Sequence, residues 1–272
     1  MNDSNNIENL FTTKDMSVLS DVDIKQELGK KILIFPFNEQ KIRGGSINLS
    51  ASSMAWDIKT KKSIYNSSSK AIIIPKLGTA LIQTEEIIHV TNAIAGTFHS
   101  KVGIVSQGLG HISTTLDPGW IGNLLIAVHN HTDEDFELPI GDTFVTLTLY
   151  YVNSKSEFIN NNKHGRPDVL IKFDLSKEEK HFFDDDSRTQ VNVLKKNMLE
   201  SKSFIDFNTV RKNNWYSNNY AISIYIFIIA IVVYMILNRI LFFSKEINQT
   251  CLTVIATYTV TMVTNFILAR RK

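Results

Sequence analysis

Cysteine is nearly missing from this sequence: Cys251 is the only one in 272 residues. An intrachain disulfide framework is therefore excluded, as is a cysteine-rich zinc site. An excess of one charge is missing too. There are 29 Lys and Arg against 27 Asp and Glu, a formal net charge of +2. No basic stripe of the kind nucleic-acid binders present is visible, so no nucleic acid is expected as a partner. The stretch Met1 to Asp15 is polar and Asn-rich and lacks an apolar run, so no cleavable signal peptide is expected.

What is present is unevenly spread. Residues 1–30 form a polar N-terminal segment, and 31–153 are rich in Ile, Val, Leu and Thr. Residues 154–219 are charged and Asn-rich and read as a helical linker, while 220–272 are mostly apolar.

Residues 220–243 carry a single charge, Arg239, near their far end. About 20 apolar residues span the ~30 Å hydrocarbon core as a helix, and a long side chain near the end reaches the interface. Residues 250–269 are Thr-rich but uncharged. The short connector 244–249 favours an antiparallel pair, so two transmembrane helices in a hairpin are expected. Arg211 and Lys212 precede the pair, and Arg270, Arg271 and Lys272 follow it. The excess of cations at both outer ends predicts a multi-pass protein of the inner (cytoplasmic) membrane, with the β domain in the cytoplasm.

From Lys31 onward, short apolar runs alternate with turn signals. Strands are predicted at 32–35, 71–75, 79–83, 86–90, 122–130 and 143–151. In 122–130, Leu124, Ile126 and Val128 share one face, opposite Leu125, Ala127 and His129; in 143–151, Val145, Leu147 and Leu149 lie opposite Thr146 and Thr148. This period of two, with no long amphipathic helix between the strands, predicts a mainly β fold, a barrel or sandwich. Between the strands, residues 96–122 form a dense loop with six glycines, several hydroxyls, Lys101, His99, His111, Asp117 and Trp120. Glycines allow close backbone approach to a ligand, hydroxyls and Lys101 suit phosphate oxygens, and Trp120 offers an aromatic face. A turn region without a ligand has the same composition.

The run Asp117-Pro-Gly-Trp-Ile-Gly122, a strand ending at Asn130, and Phe136-Glu-Leu-Pro-Ile-Gly141 resemble the trimeric dUTPase and dCTP deaminase superfamily, with the DPGW form nearer its deaminase branch. Upstream, Gly44-Gly-Ser-Ile-Asn-Leu49 and Ser100-Lys-Val-Gly103 are similar to two further motifs of that branch. The resemblance covers residues 31–153. It implies a distorted dUTPase-like β-barrel forming a homotrimer, with nucleotide sites at subunit interfaces and Mg²⁺ held on the nucleotide phosphates. Carried over by position, Ser100 and Lys101 approach the phosphates. His111, Ser113 and Thr115 line the pocket beside the base. Asp117, followed by Gly119 and Trp120 in the same motif, stands near the sugar and the attacking water and is the catalytic candidate if the protein is active.

The departures from the pattern are informative. The deaminase glutamate would stand at Ala127, and deamination needs a carboxylate to shuttle protons between water and the exocyclic amine. Asn48 replaces the first-motif aspartate, Phe98-His99 replaces a serine pair, and no Gly-rich C-terminal lid follows, Gly165-Arg-Pro167 being too short. Elsewhere, His129 and His131 with Asp133 and Glu134 read as a solvated turn, since spacing indicates no third metal ligand. Residues 176–206 read as one or two helices, opened by a Ser176–Glu179 capping box, with Phe182, Phe183, Val191, Leu194, Met198 and Leu199 as an apolar stripe.

The expected function is a membrane-anchored nucleotide binder without deaminase activity, whose partners are a nucleotide, membrane lipid and two further copies of itself. Three hairpins gathered by a trimer would suit a sensor or effector in bacterial defence. A membrane-attached deaminase or pyrophosphatase and a purely structural trimerisation module are the alternatives.

Overall fold

In the computed structural model, the structure describes residues 18–157, 166–185, 187 and 190–211, together with the helical stretches 227–229, 231–236, 249–251, 253–258 and 261. These fall into two units, one ending at Ile205 and the other beginning at Asp206.

The first unit is an antiparallel β structure. Its strands are β1 (Ile32–Phe35), β2 (Ile42–Arg43), β3 (Ser46–Asp57), β4 (Tyr65–Asn66), β5 (Ala71–Ile74), β6 (Thr79–Val90), β7 (Ile94–Ser100), β8 (Leu109–His111), β9 (Thr115–Leu116), β10 (Ile121–Asn130), β11 (Phe136–Pro139) and β12 (Thr143–Tyr151). Nine of them form one sheet in the order β8-β10-β6-β3-β12-β7-β9, with β1 added to β6 and β2 to β3; β11-β5-β4 form a second sheet. The end strands β8 and β9 do not pair with each other, so the expected barrel is realised as one open, bent sheet with a smaller one beside it. The bending has a local cause. The register slips between Ala51 and Ala55 on β3, between Asn123 and Leu125 on β10, and between Thr143 and Val145 on β12. Such bulges kink a strand and increase its twist. Through its bulge β3 pairs with β12 in its first half and with β6 in its second.

The alternation read from the sequence sets the core. Val145, Leu147 and Leu149 are fully buried, as are Ile126, Leu49 and Ile82, while Leu125, Ala127 and His129 are half-buried. The two strands expected at 79–83 and 86–90 are one, β6, because its polar middle is satisfied inside the sheet. Thr84 donates to the Glu86 carbonyl (2.9 Å), and Asn123 donates to the Thr84 carbonyl (2.9 Å). Glu86 pairs with Lys41 at 2.6 Å. Two long strands were not foreseen, β3 and β7; the latter crosses the stretch read as loop.

The β unit begins before Lys31. Val18 bridges to Tyr150, and the Leu19 amide donates to the Leu149 carbonyl (2.8 Å). Helix α1 (Asp21–Glu27) follows, opened by a reciprocal Ser20–Asp23 capping box, with Ile24 buried. After the sheet, α3 (Pro167–Leu170) and α4 (Lys177–Asp184) lie against β3, β6 and β10, where Leu170 and Phe183 join Trp56 and Leu81 in one apolar cluster. Helix α5 (Val191–Glu200) packs on β1 through Leu194 and Met198. The residues read as a linker thus belong in large part to the first unit. The Ser176–Glu179 capping box is present. Of the expected stripe, Phe183, Leu194 and Met198 are buried, whereas Val191 and Leu199 face solvent.

Asn130 carries much of one end of this unit. Its side chain is fully buried, donates to the carbonyls of Ile74, Pro75 and Glu134 (3.2, 3.3 and 2.8 Å), and accepts from the Thr132 amide and hydroxyl (3.0 and 2.7 Å). Asn130→Ala is expected to destabilise the unit by about 2–3 kcal/mol, since buried carbonyls lose their donor. A loss of unfolding free energy less than a tenth as large, measured by urea at unchanged slope, would refute the assignment.

The second unit contributes helical stretches in which Phe227 stacks on Tyr258 at 4.9 Å. Thr253, Thr257 and Thr261 each return a hydroxyl bond to the carbonyl four residues earlier. Ile228, Val232, Val233, Met235, Ile236 and Val254 are exposed. Among the described residues no helix is long and apolar enough to cross a membrane; most of the two expected spans lies outside the described residues.

Candidate functional site

The residues singled out in the sequence divide between two surfaces of one chain. On the first, β7 ends at Ser100, and Lys101 caps the short helix α2 (Val102–Val105). Ser100 Oγ lies 2.6 Å from His111 Nδ1 and accepts from the His111 amide at 3.1 Å. Burial pushes the His111 pKa down, the Phe98 carbonyl pulls it back, and His99 adds repulsion. Its Nε2 is buried and without a hydrogen-bond partner among the described residues. Lys101 Nζ donates to Thr143 Oγ1. Its pKa is lowered, chiefly by burial; Asp142 opposes this and Arg43 adds to it. A shallow depression runs over His99, Ser100, Lys101, Thr146, Thr148 and Ser46.

The second surface holds a cavity of about 250 Å³ between β7, the β9–β10 turn and β10, lined by Thr114, Thr115, Asp117, Trp120, Leu125 and Arg166 among others. The turn that presents Asp117 depends on Gly119. It adopts φ +78°, and a Cβ there would stand 2.6 Å from Asn92 Oδ1; only glycine meets both demands. Trp120 is 7% exposed, its indole N–H donates to the Gly122 carbonyl at 3.2 Å, and it lines the cavity beside Asp117. Ser113 adjoins the cavity, its hydroxyl donating at 3.2 Å to the carbonyl of Phe98, which lines it.

Ala127 lies on β10, two residues from the cavity-lining Leu125. It sits opposite Leu81 on β6 and packs on the cluster of Trp56, Leu81, Leu170 and Phe183. Hydrocarbon packs against this half-buried position.

Arg166 is the residue that sequence reasoning missed. It lies 49 positions after Asp117 and lines the same cavity. Its fork is fixed by Asp168, with Nε 2.9 and 3.2 Å from the two carboxylate oxygens and Nη2 at 2.8 Å. Asp168 and, more weakly, Asp117 raise its pKa further. The available signal was an Arg-Pro pair opening a helix, with proline at its first position; nothing local indicated which surface it would meet.

Neither surface offers a magnesium cage. Among the described residues no three His, Cys, Asp or Glu side chains converge, and the one carboxylate lining the cavity, Asp117, shares it with a guanidinium. Mg²⁺ prefers octahedral oxygen ligands and often takes most of them from water and substrate phosphates. These residues therefore do not form a site for the ion by themselves. His129 and His131 meet edge to face at 4.4 Å, with His129 Nδ1 2.8 Å from Thr79 Oγ1.

The dCTP deaminase-like family profile matches residues 18–152. The chain is 30% identical over 123 residues to the dCTP deaminase of Thermococcus kodakarensis, covering 45% of this chain and 78% of that protein. The dCTP deaminase of Pyrococcus furiosus gives the same identity and the same coverage. Among solved structures, the 2′-deoxycytidine 5′-triphosphate deaminase of Agrobacterium tumefaciens aligns with a TM-score of 0.44 at 10% identity, over 51% of this chain and 49% of that one.

Proposed function

This chain belongs to the dCTP deaminase-like family, and on that premise we propose that its β unit binds a deoxynucleoside triphosphate without deaminating it. The observation that carries the reading is Ala127 under its apolar cluster, where the proton-shuttling carboxylate of a deaminase would have to stand. Binding is supported by the two separate surfaces. Ser100 and Lys101 offer a hydroxyl and a cation for phosphate oxygens, with Mg²⁺ arriving on the phosphates. Asp117, Thr115 and Arg166 offer polar groups for the rest of the ligand. They lie on different faces of one chain, so a homotrimer that sets one copy's Ser100–Lys101 face against its neighbour's Asp117 cavity would assemble a whole site.

The C-terminal unit fits attachment to the cytoplasmic membrane, with the β unit in the cytoplasm. Its exposed isoleucines and valines are a poor surface for water and a good one for lipid. Vesicle flotation that persists at high salt and in carbonate is the expected behaviour, and release under either condition would refute attachment by these segments.

The binding reading is tested by calorimetry of the full chain with dCTP and Mg²⁺, alongside assays for ammonia and pyrophosphate release. Binding without turnover is expected. Asp117→Asn, which removes a charged hydrogen-bonding group, should weaken binding at least about tenfold. Ammonia or pyrophosphate release that vanishes in Asp117→Ala would make the protein an enzyme and overturn the reading.

A further inference from the structure

The end of β6 lies against the turn before β10, and it holds one residue out of keeping with its neighbours. Residues 87–90 read Ile-Ile-His-Val, so His89 is the only polar side chain among them. Its cross-strand partners are Leu33 on β1 and Ile121 on β10. A half-buried imidazole in such surroundings is costly unless it is hydrogen-bonded. Burial pushes the His89 pKa down, and its bond to the Trp120 carbonyl opposes this.

That bond identifies the tautomer. His89 Nδ1 lies 2.9 Å from the Trp120 carbonyl oxygen. A carbonyl only accepts, so Nδ1 carries the hydrogen, and in the neutral ring Nε2 is bare. The same carbonyl accepts from the Val90 amide at 3.1 Å. Both of its lone pairs are thereby engaged, one by backbone and one by a side chain.

The Trp120 carbonyl ends the turn that presents Asp117. The Trp120 amide donates to the Asp117 carbonyl at 3.2 Å and closes that turn, while Gly119 stands against Asn92 just beyond β6. With one donor, from Val90, the Trp120 peptide can pivot about that bond. A second donor from another direction fixes its plane. Asp117 and Trp120 both line the cavity, so the orientation of this one peptide sets where two lining groups stand.

We propose that His89 is a positioning residue for the cavity, its Nδ1–H clamping the Asp117–Trp120 turn in the geometry that receives the ligand. That role presupposes that the cavity is a nucleotide site. His89 does not itself line the cavity, so it acts through the turn alone. A turn held in place before binding leaves less ordering to be done when the ligand arrives. Loss of the clamp therefore lowers affinity and loosens the turn together.

Two substitutions separate the clamp from mere packing. His89→Leu keeps apolar bulk and removes the donor. In His89→Asn the side-chain amide nitrogen occupies the place of Nδ1 relative to Cβ, so the donor is kept and most of the ring is lost. The full chain is titrated with dCTP and Mg²⁺ by calorimetry, and its ligand-free amides are followed by hydrogen exchange. His89→Leu is expected to bind roughly threefold to tenfold more weakly, the range of one hydrogen bond. Exchange at Gly119 and Trp120 should speed by a similar factor while the rest of β10 keeps its protection. His89→Asn should return both to the wild-type values, and nitrogen-15 spectra at neutral pH should show the His89 proton on Nδ1.

Wild-type affinity and exchange in His89→Leu would overturn the clamp. So would His89→Asn behaving like His89→Leu, which would reduce the ring to packing, or a proton found on Nε2 alone. Should His89→Leu not fold, His89→Asn and the ring proton decide in the same way. If the wild type does not bind dCTP, the nucleotide reading falls by itself; turn exchange in the two variants then judges the clamp, and equal exchange in both would overturn it.

Discussion

Replacing Lys41 with methionine is expected to cost the β unit about 3–5 kcal/mol, the penalty for leaving a buried charge without its partner. Lys41 Nζ lies 2.6 Å from Glu86 Oε1 and 2.7 Å from Ser50 Oγ, and the Ser50 amide donates to Glu86 Oε2 at 2.9 Å. Glu86 is 1% exposed. Burial raises its pKa above the ordinary 4.5, and the Lys41 and Ser50 bonds only partly oppose this. The sign follows from proton counting. In the window above 4.5 the folded state holds the Glu86 proton more tightly than the unfolded state does, so stability is full below that window and is lost as pH rises through the folded value. Removing Lys41 takes away the group that pulls the pKa back, so the loss should extend to higher pH and grow. Urea unfolding from pH 4 to 8 measures this. Glu86→Gln should flatten the Glu86 contribution, and Lys41→Met in that background should cost much less than alone. Equal costs of Lys41→Met in both backgrounds would show that the pair is not what holds this part of the sheet.

Placing a glutamate at position 127 is expected to loosen the packing of residues 167–184 on the sheet without producing a deaminase. The new carboxylate would be set against the apolar cluster of Leu170 and Phe183. Burial of an unpaired carboxylate is costly and drives its pKa up; with the site half-buried, roughly 2–4 kcal/mol is expected. Faster exchange at 167–184, a lower urea midpoint at neutral pH than at pH 4, and no ammonia from dCTP are the expected results. Ammonia release at unchanged stability would mean that the site lacks only this one group, and that the helices after the sheet leave room for it.

Much of the β unit was legible because period-two alternation is a local property. Strands 32–35, 122–130 and 143–151 coincide closely with β1, β10 and β12, and the buried faces are the ones their apolar residues mark. Where the pattern broke, the sequence misled. Residues 84 and 85 were read as a break between two strands, yet they lie mid-strand because Asn123 and, at the adjacent Glu86, Lys41, both distant in sequence, satisfy this polar stretch. Strand β3 was hidden by its serines and its bulge, and β7 by Gly96 and its hydroxyls. Gly96 is there for space: a Cβ would stand 2.8 Å from the Leu147 side chain on β12.

The same division holds at the site. Motif order placed Ser100, Lys101, His111, Thr115 and Asp117 in one region of the chain, and Gly119 marked the turn that presents Asp117. Their separation onto two faces was not legible, since it depends on how β7, β9 and β10 cross. Trp120, read as an aromatic face for a ligand, lines the cavity with Asp117 while its indole N–H is tied to the Gly122 carbonyl, a bond no local pattern announced.

The sequence by itself determined the alternating strands, the capped helix starts, the turn before β10 and the alanine at 127, because each rests on residues within a few positions of one another. Only the tertiary structure decided that Arg166 stands with Asp117, that Ala127 lies beneath Leu170 and Phe183, and that Glu86 is tied to Lys41. Those pairings join residues 40 or more positions apart, and the bulged sheet, not any local propensity, brings them together.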